Sequence, residues 1–299
     1  MPASSAQLLD PAHLSAIANY SLMAKVAVEG FLSGLHRSLF HGFGSEFQQY
    51  RPYTPGEDPR TIDWKVYARR ERLQTRLYEE ETDMNCSLLV DTSASMNYKG
   101  ERAVCTKFHY ASMVAATLAY LASRQGDNPG LYLYSDELHE ALPPGNRTAR
   151  YASIHHALAR ARPSGSADHR LAMNYLGHHL RGRGLVIVIS DMLEAENDLP
   201  SLLARVRIRH YDVLALQVLD PDEIEFPREK AARFRDLETG RECLTSPLAV
   251  ADAYDKAMAT TSAKLRRGLS GSRVDYRRLS TRDSLGEALA SYLHHRERT

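Results

Sequence analysis

The run Gly184-Leu-Val-Ile-Val-Ile-Ser-Asp191 is apolar without interruption and closes on a carboxylate. Apolar residues at consecutive positions give a strand two hydrophobic faces, and both must be covered. That condition is met in a parallel sheet with helices on either side. The surrounding chain keeps the same alternation. Residues 86–91 form a short strand of the same buried type, and 102–124 place Phe108, Ala111, Ala115, Leu118 and Ala122 at helical spacing. A strand is predicted over 130–135, with 138–142 pairing to it before a Pro-Pro-Gly turn. Helices follow over 148–161 and 169–181, then the strand 184–191, a helix over 197–209 and a strand over 211–219. After an insertion near 220–250 come a helix over 247–268, a strand over 274–280 and a closing helix over 283–296. Strands alternating with helices specify an α/β fold, a doubly wound and mostly parallel sheet.

The first 83 residues read differently. Pro11 follows Asp10 at a helix start, and Leu14, Ile17, Ala18, Leu22, Val26 and Phe31 predict one helix over 11–35. Residues 40–83 are rich in Gly, Pro, Tyr and Arg, and the stretch beginning at Leu73 alternates like an edge strand. The chain therefore divides into a segment over 1–83, expected to pack on the main domain, and a domain over 84–299.

Composition narrows the function classes. The 299 residues carry 38 Lys+Arg against 37 Asp+Glu. That balance excludes a strongly basic nucleic-acid binder, for which a pI above about 9 is usual. Three cysteines with no CxxC pair point to a reducing compartment and no zinc site. No apolar run approaches the roughly 18 residues of a membrane span, and no signal-peptide pattern opens the chain, so a cytoplasmic protein is expected. The near-zero total hides segregation: residues 146–183 hold seven arginines and five histidines against the single acid Asp168. Residues 79–83 and 191–198 hold four acids each and no base. A basic stretch beside a site suits an acidic ligand by local steering.

The chemistry concentrates at two strand ends. Ligands of open α/β sheets gather outside the carboxyl ends of the strands, at the point where the strand order reverses. Asp91-Thr-Ser93-Ala-Ser95 follows the first sheet strand, and Asp191 ends the strand 184–191. Two carboxylates with two hydroxyls form a hard, all-oxygen set suited to Mg²⁺ or Mn²⁺. Ser, Thr and Asp in such places also serve as plain turn and helix-capping residues.

Asp91-x-Ser93-x-Ser95 with the later Asp191 resembles the metal-ion-dependent adhesion site of von Willebrand factor A domains. The resemblance implies direct serine ligation, a first aspartate that often acts through water, a threonine from an intervening loop, and a partner carboxylate in the open position. The corresponding loop, residues 163–168, has no threonine; Ser166 is the substitute and Asp168 the competitor. Upstream, Ser45-Glu-Phe47, Tyr50-Arg51-x-Tyr53, Pro55-Gly-x-Asp58, Arg60, Ile62-Asp63-Trp64-Lys65 and Ala68-Arg69 resemble the signature of the domain-of-unknown-function 58 family. So do Asp220-Pro-x-Glu223 and Asp236-Leu-Glu-Thr-Gly240, and the terminal Tyr292-Leu293 with Arg296. Members of that family are commonly encoded beside MoxR-type AAA+ ATPases, which implies an adaptor or co-chaperone rather than an enzyme.

Arg51, Arg60, Asp63, Trp64 and Lys65 are expected to pin their irregular segment in place, with the lone Trp packed; were they exposed, they would be the ATPase-docking candidate. The paired histidines are expected at the surface, Cys86 in a buried strand, Cys105 on a helix, and Met96 beneath the serine loop. No GxSxG elbow, phosphate-binding loop or dinucleotide fingerprint occurs. A Mg²⁺- or Mn²⁺-dependent phosphoesterase is the alternative reading, since Asp91 and Asp191 could hold a metal over a phosphoester. A scaffold whose site never binds metal is the third.

Overall fold

The computed structural model describes residues 9–36, 50–53, 64, 66–67, 73–76, 84–145, 147–193, 195–227, 232–238 and 240–296. They fall in two compact units, residues 38–82 and the remainder of the chain. In the smaller unit β1 (Tyr50–Pro52) pairs antiparallel with β2 (Gln74–Arg76), Arg51 facing Thr75. The expected edge strand is thus present over 74–76, and its continuation lies outside the described residues.

In the larger unit the predicted N-terminal helix is two helices. Asp10 caps α1 (Pro11–Leu14), its carboxylate accepting from the Ala12 amide. Asn19 starts α2 (Tyr20–His36), its side-chain oxygen accepting from the amides of Ser21 at 2.9 Å and Leu22 at 3.1 Å. Two capping side chains nine residues apart outweigh the continuous apolar spacing.

The sheet strands are β3 (Asn85–Asp91), β4 (Asn128–Tyr134), β5 (Leu138–Leu142), β6 (Gly184–Ser190) and β7 (Tyr211–Leu219). A separate hairpin, β8 (Ala232–Arg235) and β9 (Glu242–Thr245), lies in the insertion, and β10 (Asp275–Ser280) completes the sheet. The order is β10-β7-β6-β3-β4-β5, with all neighbours parallel except the β4–β5 pair. From β3 the chain first winds outward through β4 and β5, then crosses back and winds the other way through β6, β7 and β10. The order therefore reverses between β3 and β6, whose carboxyl ends carry Asp91 and Asp191.

The connecting helices are α3 (Lys107–Arg124), α4 (Arg147–Arg160), α5 (His169–His179), α6 (Leu199–Ile208), the short α7 (Pro221–Ile224), α8 (Pro247–Gly271) and α9 (Gly286–Arg296). On one sheet face Leu89, Val186, Val188, Val213 and Ala215 meet Met173 and Leu176 of α5, Leu203 of α6, and Leu265 and Leu269 of α8. On the other, α3 lies against the central strands and carries α2, α4 and α9. Each fully buried aliphatic side chain in these layers contributes about 1.5–3 kcal/mol. Strand β6 is buried at every position, as its unbroken apolar run requires.

Three further expectations are corrected. Helix α3 begins at Lys107 rather than 102, because the Thr106 side chain accepts from the His109 amide and caps it there. Residues 100–106 form a loop instead, tied down by Gly100 N–H donating to Asp220 (2.8 Å) and Glu101 N–H donating to Asp222 (2.9 Å). Cys105 is consequently a buried loop thiol and not a helical one. His155, one of the paired histidines, is buried rather than superficial, whereas Met96 is packed beneath its loop as expected. No described helix is long and apolar enough to cross a membrane.

Candidate metal centre

Asp91 ends β3 with both carboxylate oxygens engaged. Oδ1 accepts the Ser93 amide at 2.8 Å, which folds the chain back at once, and Oδ2 accepts the Ser190 hydroxyl at 2.6 Å. Thr92 anchors the loop to the neighbouring strand, its amide and hydroxyl both donating to the Tyr134 carbonyl. The turn brings the hydroxyls of Ser93 and Ser95 to 3.0 Å from one another. Asp191 follows β6 directly. It is aimed by Met192, whose φ of 52° is left-handed, a conformation that costs a bulky residue roughly 1–3 kcal/mol. Ser190 Oγ accepts the Met192 amide, and Gln217 donates to the Asp191 carbonyl at 2.7 Å. Tyr276 of β10 in turn donates to Gln217, so the strand end is braced from β7 and, through it, from β10.

The donor set suits a small divalent cation. Adjacent oxygens around octahedral Mg²⁺, with bonds of about 2.1 Å, lie about 3.0 Å apart; the two serine hydroxyls already have that separation. Among the described residues no group of three or more His, Cys, Asp or Glu side chains could hold a metal. A cation here therefore depends on hydroxyls and water as much as on charge, which disfavours zinc.

The intervening loop runs alongside. Ala94 N–H donates to the Gly165 carbonyl at 2.9 Å and Ser164 N–H to the Thr92 carbonyl at 2.8 Å. Ser166 lies exposed on this loop. Asp168 is occupied elsewhere: its carboxylate caps α5 by accepting the Leu171 amide at 3.0 Å. Of the two candidates for the family threonine, Ser166 is the one not committed to capping a helix.

Sequence reasoning missed Lys107. Its side chain is completely buried, and Nζ donates to Asp191 Oδ2 at 2.8 Å and to Glu223 Oε1 at 2.6 Å. The Tyr98 ring lies 5.8 Å from the ammonium. Glu223 is held by a capping box, in which its carboxylate also accepts the Asp220 amide. Asp220-Pro-x-Glu223 was visible as a motif, but nothing in the sequence tied it to Lys107. Also missed were Tyr134 and His169, joined at 2.9 Å under the site.

The two aspartates titrate in opposite directions. Burial pushes Asp91 above the usual carboxylate range and neighbouring Asp191 adds to it, only partly offset by His169, Ser190 and the Ser93 amide. Burial also pushes Asp191 upward, but the charge and hydrogen bond of Lys107, the Ser95 hydroxyl and the Leu193 amide outweigh it and hold Asp191 low. Burial opposes the charged form of Lys107, yet Asp191 and Glu223 keep the ammonium protonated. Glu223 is pushed up by burial, which Lys107 only partly offsets.

Trp64 is 58% exposed and meets Tyr67 edge-on at 6.1 Å, so the expected packing of the lone Trp is not observed. Arg51 lies on β1, and Arg60, Asp63 and Lys65 lie outside the described residues.

The chain resembles known proteins along most of its length. The uncharacterized protein Rv1480 of Mycobacterium tuberculosis and the uncharacterized protein Mb1516 of Mycobacterium bovis are each 32% identical over 271 residues, 88% of this chain and 83% of theirs. Among solved structures, an aerotolerance-related membrane protein from Bacteroides fragilis superposes with a TM-score of 0.50 at 18% identity, over 72% of this chain and 98% of that one. The SpRpn10 VWA domain aligns over 68% of this chain and 92% of its own, with a TM-score of 0.40 at 14% identity. The fold is an α/β one, a mostly parallel six-stranded sheet with helices on both faces. The family described as "Protein of unknown function DUF58" matches residues 49–264, and this chain belongs to it.

Proposed function

We propose that the protein is a metal-dependent protein-interaction module that acts as an adaptor or co-chaperone for a MoxR-type AAA+ ATPase. Mg²⁺ or Mn²⁺ is held by Ser93 and Ser95, with Ser166 from the adjoining loop and Asp91 and Asp191 in support. The remaining position takes a carboxylate from an acidic protein partner. One observation carries this reading: two hydroxyls, hydrogen-bonded at 3.0 Å and so already at octahedral spacing, follow the first of two buried strand-end carboxylates at the reversal of the sheet. The acidic nature of the partner is supported by a groove of about 480 Å³ beside Thr92 and Ser164. Arg160 and Arg162 line it together with His139, His156 and Glu140, so it offers two guanidinium groups against one carboxylate beside Thr92. Affinity capture with intact and Asp91→Ala protein, with and without EDTA, tests the proposal. The ATPase should be recovered only with intact protein and metal; recovery that survives both changes refutes it.

A structural scaffold is the second reading, and Lys107 is its support, because an ammonium already neutralises part of the acidic cluster. Calorimetric titration with Mn²⁺ separates the two: a scaffold gives no heat in intact protein or in Asp91→Ala.

A further inference from the structure

Strand β5 (Leu138–Leu142) ends the sheet opposite β10, and among the described residues no strand pairs with its outer edge. In an extended chain alternate peptide groups point to opposite sides, so part of its N–H and C=O groups face away from β4. The pairing with β4 shifts register at His139, which leaves Glu140–Leu142 as the regular part of the edge. The groove of about 480 Å³ opens along this edge. Glu140 and Leu142 line it from β5, and His156, Ala157 and Arg160 line it from α4. It reaches Thr92 and Ser164, so it is continuous with the loops around the cradle.

Charge is divided between the two sides. Arg160 is exposed, and its guanidinium has no hydrogen-bond or ion-pair partner among the described residues. Arg162 closes α4 with a single nitrogen: Nη1 donates to the carbonyls of Ala161 at 2.8 Å, Ala159 at 3.2 Å and Arg160 at 3.3 Å. Its Nε and Nη2 remain available. His139 is engaged, with Nε2 2.7 Å from Ser135 Oγ and Nδ1 3.5 Å from Glu137. The acids Asp136, Glu137 and Glu140 belong to the β4–β5 turn and to β5 itself. A carboxylate entering the groove is therefore repelled on the strand side and attracted on the helix side.

We propose that an acidic segment of the partner binds here in extended form, as a strand added to β5, with its acids turned toward Arg160 and Arg162. Main-chain hydrogen bonds to the open edge supply affinity, and the guanidinium groups select the side chains. Residues two apart on a strand share a face, so acids at every second position all meet the helix side. The inference rests on the acidic partner of the proposed function, whose bound conformation it names; the metal takes no part in the pairing.

Fluorescence anisotropy of a labelled octapeptide of alternating Glu and Thr, titrated with the full chain in EDTA, tests the strand. The peptide should bind, and its counterpart with Lys in place of Glu should bind about tenfold more weakly or not at all. Arg160→Glu should also weaken binding about tenfold; the side chain is exposed, so folding is kept. Glu amides and Thr amides point to opposite edges of the added strand. Methylating one set of these nitrogens should therefore abolish binding, and methylating the other should leave it within about twofold. No binding, unchanged binding by Arg160→Glu, or equal binding of both methylated peptides overturns the strand. Each of these leaves the metal reading standing if capture of the ATPase still requires metal. Peptide binding as expected, with capture that survives EDTA and Asp91→Ala, supports the strand and refutes the metal reading alone.

Discussion

Replacing Lys107 by Met removes the buried cation and keeps a chain of similar length. The wild-type ammonium is fully enclosed, 2.8 Å from Asp191 and 2.6 Å from Glu223, whose side chains are only 4% and 15% exposed. Without it two carboxylates share a space from which water is largely excluded. Losing one partner of a buried ion pair typically costs 3–5 kcal/mol. The variant has an escape, which sets the ceiling: one acid can bind a proton. For a glutamate with an unfolded pKa of about 4.3, that costs about 1.36 × (7.0 − 4.3), or about 3.7 kcal/mol, at pH 7. At pH 5 the same proton costs about 1 kcal/mol. The folded variant binds a proton that its unfolded chain releases above about pH 4.3, so its stability falls as pH rises above that value.

Urea unfolding followed by far-ultraviolet circular dichroism measures this directly. Lys107→Met should lose about 3–4 kcal/mol relative to wild type at pH 7 and about 1 kcal/mol at pH 5. Adding Glu223→Gln should recover most of the loss at pH 7 by removing the second charge. A penalty below about 1 kcal/mol at pH 7, or one that does not change with pH, would refute the idea that this lysine compensates buried acids.

Two further perturbations test the fold around the site. Burial holds His155 down to about 4, and neither ring nitrogen has a hydrogen-bond partner among the described residues; the stability of the neutral form is fully present above the unfolded pKa of about 6.5 and should be lost between there and pH 4. His155→Leu should flatten that slope in urea titrations, and an unchanged slope would assign the acid sensitivity to other groups. Gly165→Ala should cost more than Gly182→Ala: both have φ near 70°, at 72° and 71°, but a Cβ at 165 would lie 2.1 Å from Asp136 Oδ1, whereas at 182 nothing lies within 4 Å. The left-handed conformation alone costs about 1–2 kcal/mol, so equal thermal unfolding shifts for the two variants would mean that Asp136 gives way freely.

What could be read in advance follows from how locally each feature is encoded. Strand β6 and its terminal Asp191 announce themselves because the apolar run, its length and its carboxylate are contiguous. Pairing Asp91 with Asp191 needs only the sheet-reversal rule, since both residues end strands. Lys107 gives no such signal. A lysine in the first turn of a helix ordinarily faces solvent, and its burial depends on acids 84 and 116 positions away. Ser21 and Tyr151 show the same limit: their hydroxyls meet at 3.1 Å across 130 residues and help to seat α2 against α4. His155 was misread because a His-His pair looks polar, yet on α4 one ring points inward and the next outward, about 100° round the helix. The break between α1 and α2 was hidden by apolar spacing that continued across it, and only the capping side chains of Asp10 and Asn19 mark it.

The distribution of charge explains why a partner's carboxylate would bind here reversibly. Lys107 faces Asp191 and Glu223, so Asp91 is the acid of the cradle left without a cationic hydrogen-bond partner among the described residues. A divalent ion held by two neutral hydroxyls and so little net protein charge binds weakly unless another carboxylate joins it. Metal and carboxylate then strengthen one another by the same factor, whichever binds first. Any two acidic partners are chemically alike at that position, so exchanging one for the other leaves the charge around the metal unchanged. The metal's attraction cancels from the exchange, and its direction is set by contacts outside the site: each partner's fit to the groove lined by Arg160, Arg162, His139, His156 and Glu140. Specificity would then reside in that groove and not in the metal.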